Sequence, residues 1–296
     1  MALESRRLAT MSQLRESFVS VNGIKLHVVE AGPSDGELVV LLHGFPEFWY
    51  SWRRQIDVLA AAGYRVLAPD QRGYNTSDKP QAVSAYSIDT LADDVAELIK
   101  STGRTQANVV GHDWGAAVAW WLAIQHPQLV KRLSILNLPH PKVLTRALTR
   151  SGRQLLKSWY AFSFLLPKIP EFLLSWRGHR LAERALVKTS RRGTFTADEL
   201  TKYHAAWAQP GAPRAMINWY RAGFSNRPKL SGVAARVKAP TLMIWGARDA
   251  FLGRELAQPS IDYCEKGELV FLEKATHWVH QEEPEKVNKL LLDFFA

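Results

Sequence analysis

The stretch Asn108-Val109-Val110-Gly111-His112-Asp113-Trp114-Gly115 runs an apolar segment into a corner framed by two glycines. Its spacing is that of G-x-S-x-G, in which a strained strand-to-helix turn holds one side chain out above a parallel sheet. Here a carboxylate stands where that frame carries a serine, and the chemistry changes with it. An alkoxide attacks carbonyls, whereas a carboxylate is a weak nucleophile suited to displacing a leaving group from saturated carbon, giving an alkyl ester that water can cleave. Ala116, Ala117 and Ala119 follow and let the next helix pack closely against the sheet.

The pattern on either side of this turn alternates strands with helices. Phe18 to Glu30 alternates apolar and polar residues about Asn22-Gly23, a two-residue hairpin signal. Leu38 to Leu42 is wholly apolar, as in strands buried on both faces, and ends in His43-Gly44-Phe45-Pro46. A helix is expected from Trp49 to Ala62, a strand from Tyr64 to Ala68, a helix from Ile88 to Ser101 and a strand from Arg132 to Leu136. The rhythm then stops for about ninety-five residues of helical periodicity, broken at Pro167, Pro170, Pro210 and Pro213. It resumes with strands at Thr241 to Trp245 and Leu269 to Leu272 and an amphipathic helix from Pro284 to Phe295. This order predicts an α/β fold with a mostly parallel sheet. The core domain would comprise residues 1–139 and 237–296, with a helical cap over 140–236.

Composition narrows the function classes. The chain has 296 residues, 47% of them hydrophobic, with 38 basic and 28 acidic side chains giving net +10. Residues 140–236 hold 18 Lys or Arg against 4 Asp or Glu, while the remainder holds 20 against 24, so the excess is confined to the expected cap. The reading taken from sequence is a solvated basic surface. The weaker reading is attraction to anionic lipid or to an acidic substrate tail, and membrane association is not expected. No nucleic-acid-binding framework surrounds the basic residues, and no secretory h-region is visible in the first thirty. The single cysteine, Cys264, allows no internal disulfide or cysteine-built metal site and suits a reducing, cytoplasmic setting.

Asp113, Asp249 and His277 each fall at the C-terminal end of an expected strand, where ligands bind in open parallel sheets. Their order of nucleophile, acid and histidine is that of α/β-hydrolases. Asp249 would orient His277, which takes a proton from water for attack on alkylated Asp113. Backbone N–H groups of Phe45 and Trp114 would form the oxyanion hole. His43 is expected to make a structural hydrogen bond. His280 is expected on the surface, on the first turn of the next segment.

The chain resembles the epoxide hydrolases of the α/β-hydrolase superfamily from Phe18 onward. The resemblance rests on His43-Gly44-Phe45-Pro46-Glu47 with Trp49-Tyr50-Ser51-Trp52, on Asp70-Gln71-Arg72-Gly73-Tyr74, on Gly111-His112-Asp113-Trp114-Gly115, on Trp245-Gly246-Ala247-Arg248-Asp249 and on His277-Trp278. It implies two cap tyrosines that protonate the opening epoxide. Asn218-Trp219-Tyr220-Arg221 matches the second tyrosine motif, Tyr160 in Lys157-Ser158-Trp159-Tyr160 matches the first less specifically, and Tyr203 is an alternative for either. It also implies no cofactor, no metal, a small apolar epoxide and water as reactants, and a pocket among Phe45, Trp49, Trp114, Phe162 and Trp219 with His43 and His112 beside it. The assembly would be a monomer or a homodimer.

Haloalkane and haloacetate dehalogenases share these motifs and need halide donors in place of phenols. Phe45 after His-Gly, Asn137 after the sixth strand, and Trp114 and Ala117 in the Asp-Arg-x-x-Arg positions separate this chain from several of them. Trp159, Trp176 and Trp207 keep open the group that takes a donor from a cap tryptophan. A third reading, a non-catalytic hydrolase-fold binding protein, would be favoured by a missing triad member.

Overall fold

The computed structural model describes residues 14–157, 159–225 and 235–296. Eight strands form one sheet: β1 (Arg15–Val21), β2 (Ile24–Ala31), β3 (Leu38–Leu42), β4 (Arg65–Pro69), β5 (Ala107–His112), β6 (Val130–Leu136), β7 (Thr241–Gly246) and β8 (Gly267–Leu272). Their order across the sheet is β1-β2-β4-β3-β5-β6-β7-β8, antiparallel at β1/β2 and β2/β4 and parallel beyond. Asn22 and Gly23 both take positive φ, 45° and 76°, which is the twist a tight hairpin needs between right-twisting strands.

All five residues of β3 are buried, because helices cover both faces of the sheet. Successive side chains point to opposite faces. Val40 and Leu42 join the layer containing helices Ile88–Ser101 and Trp114–Gln125, while Val39 and Leu41 pack with helices Arg53–Ala61 and Pro284–Phe295. The expected start of the helix at Trp49 is a single 3-10 turn, Trp49–Trp52, ahead of the α-helix. Leu42 pairs with Gly111, His112 with Leu136, Leu136 with Ile244 and Gly246 with Leu272. That register brings the loops after β3, β5, β6, β7 and β8 out along one edge.

Between β6 and β7 the described residues of the insertion are helical: Pro141–Arg150, Gly152–Lys157, Trp159–Ser163, Ile169–Thr189, Ala197–Trp207 and Ala212–Ser225. Residues 226–234, at the C-terminal end of the expected cap, and Ser158 lie outside the described residues. Helix Ile169–Thr189 is two pieces joined at a kink, where Arg177, Gly178 and His179 all have positive φ. Thr196 and Glu199 close a capping box on the next helix. The far half of the insertion is clamped to the core by directed bonds. The Trp207 indole N–H donates to the Pro46 carbonyl at 2.6 Å and that of Trp219 to the Arg72 carbonyl at 2.9 Å. Arg53 Nε donates to Glu199 at 3.0 Å, and Arg191 pairs with Glu283.

Candidate active site

Asp113 sits at the corner between β5 and its helix with φ 49° and ψ −122°, a conformation that costs a non-glycine residue energy and persists because its surroundings fix it. The flanking glycines are a packing requirement. A Cβ on Gly115 would lie 2.2 Å from the Leu42 carbonyl oxygen, and one on Gly111 would lie 2.5 Å from the Gly115 carbonyl oxygen. The corner therefore presses against β3, which carries the Phe45 loop to the carboxylate.

The Phe45 backbone N–H donates to Asp113 Oδ1 at 2.9 Å. Trp114 is the first residue of its helix, so its N–H belongs to the group left without an intrahelical acceptor. On the other side His277 Nε2 lies 3.4 Å from Asp113 Oδ2, and His277 Nδ1 lies 2.7 Å from Asp249 Oδ2. Asp249 accepts three further hydrogen bonds: Oδ1 from the Phe251 and Leu252 N–H groups at 2.7 and 2.9 Å, and Oδ2 from Asn137 Nδ2 at 2.7 Å. The three residues expected to act together from sequence are thus assembled.

Electrostatics divides them into acids and a cation. Burial opposes charge on Asp113, but the His277 hydrogen bond and charge, His112 and the Phe45 N–H outweigh it and hold the carboxyl below its usual value. Burial likewise opposes charge on Asp249, where His277 and Asn137 win. Burial alone would lower His277; the two carboxylates override it and raise the imidazole to about 10. In the resting site His277 is an imidazolium between two carboxylates.

Aromatic side chains of the insertion pack beside the Asp113 corner. The Tyr220 ring lies 5.2 Å from Phe45, 5.0 Å from Trp114 and 4.8 Å from Phe164. Tyr160 lies 6.3 Å from Tyr220 and 5.3 Å from Phe251, whose ring is 5.1 Å from His277. Burial and then neighbouring groups that include Asp113 push both phenols above their usual range, so they stay protonated. Tyr203 is buried elsewhere, edge-on to Phe48 at 5.3 Å.

Several expectations need correction. Phe162 is exposed and packs on Phe224, while Phe164, two residues on, turns inward to Phe45 and Tyr220. Its helix is too short for sequence periodicity to fix the facing. His43 makes the structural hydrogen bonds expected of it, which leaves neither ring nitrogen for a ligand: Nε2 accepts the Gln71 N–H at 3.1 Å, and Nδ1–H donates to the Gly44 carbonyl at 3.0 Å. Trp49 packs on Phe48 and Tyr50, and Trp219 backs Trp114 at 5.8 Å with its N–H already committed. Of the tryptophans open as halide donors, Trp159 and Trp176 are exposed and the Trp207 N–H is used by Pro46.

His280 is fully buried, not on the surface, because the segment after His277 turns back under the site. There it meets Glu47 and His112. Glu47 Oε2 accepts from His112 Nδ1 at 2.7 Å and from the Gly44 N–H at 3.2 Å, and Glu47 Oε1 lies 3.3 Å from His280 Nε2. His112 Nε2 donates to the His277 carbonyl at 2.9 Å. This buried group links the Phe45 loop, the Asp113 corner and the His277 loop. Although each of the three residues offers a potential metal ligand atom within 4.8 Å of the others, those atoms are engaged with one another. Sequence reasoning placed His112 beside the pocket and overlooked Glu47 as a partner; its signal was the acid four residues after His43. Asn137 was read only as an absent acid, whereas its amide bridges Asp249 and the Gly246 N–H at 2.9 Å.

With this geometry in hand, the relatives are informative. A family profile described as the alpha/beta hydrolase fold matches residues 37–284. The chain is 46% identical over 284 residues to the AB hydrolase superfamily protein YfhM of Bacillus subtilis, covering 96% of this chain and 99% of that one. It is 39% identical over 279 residues to human epoxide hydrolase 4, covering 92% and 76% respectively. The crystal structure of epoxide hydrolase A from Mycobacterium thermoresistibile superposes with a TM-score of 0.85 at 32% identity, covering 95% of this chain and 98% of that one. The chain belongs to the α/β-hydrolase superfamily and, within it, to the epoxide hydrolase family.

Proposed function

We propose that the protein converts small apolar epoxides to vicinal diols in two steps, with residues 140–236 acting as the cap. The observation that carries this reading is the pair of tyrosine rings, Tyr160 and Tyr220, packed against Phe45, Trp114 and Phe251 around a carboxylate whose Oδ1 is already held by the Phe45 N–H.

Asp113 Oδ2 is the oxygen left for attack. It forms a bond to one epoxide carbon as that carbon's bond to the ring oxygen breaks, and the ring oxygen takes a proton from a tyrosine hydroxyl. The product is an ester on Oδ2 whose carbonyl oxygen, Oδ1, faces the Phe45 N–H. Alkylation also removes the Asp113 negative charge, one of the causes that keep His277 protonated. The imidazole pKa falls, its proton passes by way of solvent to the tyrosinate left by ring opening, and His277 becomes the base that takes a proton from water. Hydroxide adds to the ester carbonyl, Phe45 and Trp114 N–H groups hold the oxyanion, and collapse releases the diol. Over the cycle one water is added across the epoxide, and the only groups required are side chains and backbone of this chain.

The test is a substrate panel. Diol formed from a styrene-type epoxide, without halide release from bromoalkanes or fluoroacetate, supports the reading. Halide release without diol would assign the dehalogenase chemistry, and neither product would leave a binding protein.

A further inference from the structure

All of the exposed large hydrophobic side chains among the described residues except Leu14 and Phe18 lie between Leu155 and Val187. Leu156 is 75% exposed, Trp159 68% and Phe172 64%, with Ile169 and Trp176 close behind. Isolated exposed apolar residues need no explanation, but Ile169, Phe172, Leu173 and Trp176 fall at i, i+3, i+4 and i+7 of one helix and so share a face, and a shared apolar face marks an interaction surface. Exposed basic residues are interspersed through the same segment, among them Lys168, Arg177, Arg180 and Arg184. Residues 142–192 hold twelve Lys or Arg against two acids, and both acids turn to partners in the insertion, Glu171 to Arg221 at 2.6 Å and Glu183 to His204 at 2.9 Å. At the kink, the Arg177 guanidinium lies 5.2 Å over the Trp176 ring.

We propose that this face of the insertion docks on an anionic phospholipid surface. Leucine, phenylalanine and tryptophan side chains enter the boundary between headgroups and acyl chains, and the surrounding cations meet lipid phosphates, which is the composition of an interfacial surface. Among the described residues no helix is long and apolar enough to cross a bilayer, and this face needs none, since it lies in the plane of the interface. A second copy of the chain fits less well, because an isologous contact would set one strongly basic segment against another. The apolar run, absent from a reading of charge alone, changes the balance away from a merely solvated surface. Trp159 points outward one residue before Tyr160 turns in toward Phe251, whose ring packs on His277, so docking puts lipid close to the residues around His277.

The experiment is cosedimentation of the full chain with vesicles of phosphatidylcholine alone and of phosphatidylcholine mixed with phosphatidylglycerol. It reads bound protein, so it stands whatever reaction Asp113 carries. Binding to the mixed vesicles, weakened at least about tenfold on pure phosphatidylcholine and again by raised salt, is the expected result. A double Leu156→Ser, Phe172→Ser variant should lose about tenfold or more, and a double Arg180→Glu, Arg184→Glu variant a similar amount. Both should keep the wild-type circular dichroism spectrum and thermal midpoint, which shows that they fold. Equal binding to both vesicle types, no binding to either, or variants that bind like wild type would overturn the proposal. So would a dimer in light scattering that the Leu156→Ser, Phe172→Ser variant dissolves, which would assign the face to a second copy.

Discussion

At the sheet edge the groups around Asp113 are fixed by directed bonds: Phe45 to Asp113, His277 to Asp249, Asn137 to Asp249, His112 to Glu47. Over that edge the insertion contributes rings: Tyr160, Phe164 and Tyr220 pack edge-on at 4.8 to 6.3 Å, on a frame that the Trp219 N–H and Arg221 tie down by hydrogen bonds. A carboxylate must be aimed to a fraction of an ångström, and hydrogen bonds supply that. On the proposed mechanism, the nucleophile belongs to the core and the choice of leaving group to the insertion.

Mutations that break the core side should cost most. Asp113→Ala removes the nucleophile, and kcat should fall by at least about 10⁴ with the fold intact by circular dichroism. Turnover within tenfold of wild type would move the chemistry elsewhere. On the insertion side, Tyr160→Phe and Tyr220→Phe should each lower kcat by about 10 to 100-fold and together by about 10³ or more, within the range for general-acid assistance. The effect should be confined to epoxides, since a halide leaves without a proton, and a double variant with full epoxide activity would end the assignment. Asn137→Ala sharpens the contrast, because it removes one of four hydrogen bonds to Asp249 and leaves the others; kcat should fall by about tenfold with KM little changed.

Two pH effects separate chemistry from stability. His277 in the resting site should titrate near 10 in imidazole NMR, whereas the acid limb of kcat should lie well below that, because the alkylated site has lost the Asp113 charge. A limb at the resting value would contradict the switch from cation to base. Burial holds His280 at about 4, below its ordinary 6.5, against the pull of Glu47. Between those values the unfolded chain binds a proton that the folded one refuses, so stability falls as pH drops from about 6.5 toward 4. His280→Gln should flatten the difference in urea midpoint between pH 7 and pH 5, and an unchanged difference would place the acid sensitivity elsewhere.

The same division governs what the sequence made legible. Strand ends announce themselves by apolar runs stopping at Gly, Asp or His, so the hairpin at Asn22-Gly23, helix Ile88–Ser101 and the positions of Asp113, Asp249 and His277 were readable from local pattern. What escaped were partnerships between distant segments. Glu47, His112 and His280 form one buried group only because three loops share an edge, and nothing local to His280 signals its burial. In the insertion, short helices leave periodicity without enough turns to fix a face, hence Phe162 expected inward where Phe164 points in. The kink at Arg177 to His179 and the outward apolar face are likewise tertiary facts.

The central claim, a covalent ester on Asp113 opened by His277, is tested most directly by intact-protein mass spectrometry of the His277→Gln variant after exposure to a styrene-type epoxide. The account predicts a mass gain of one epoxide, located to the peptide carrying Asp113 and persisting because its hydrolysis is blocked. An unmodified mass together with continued diol formation would contradict it.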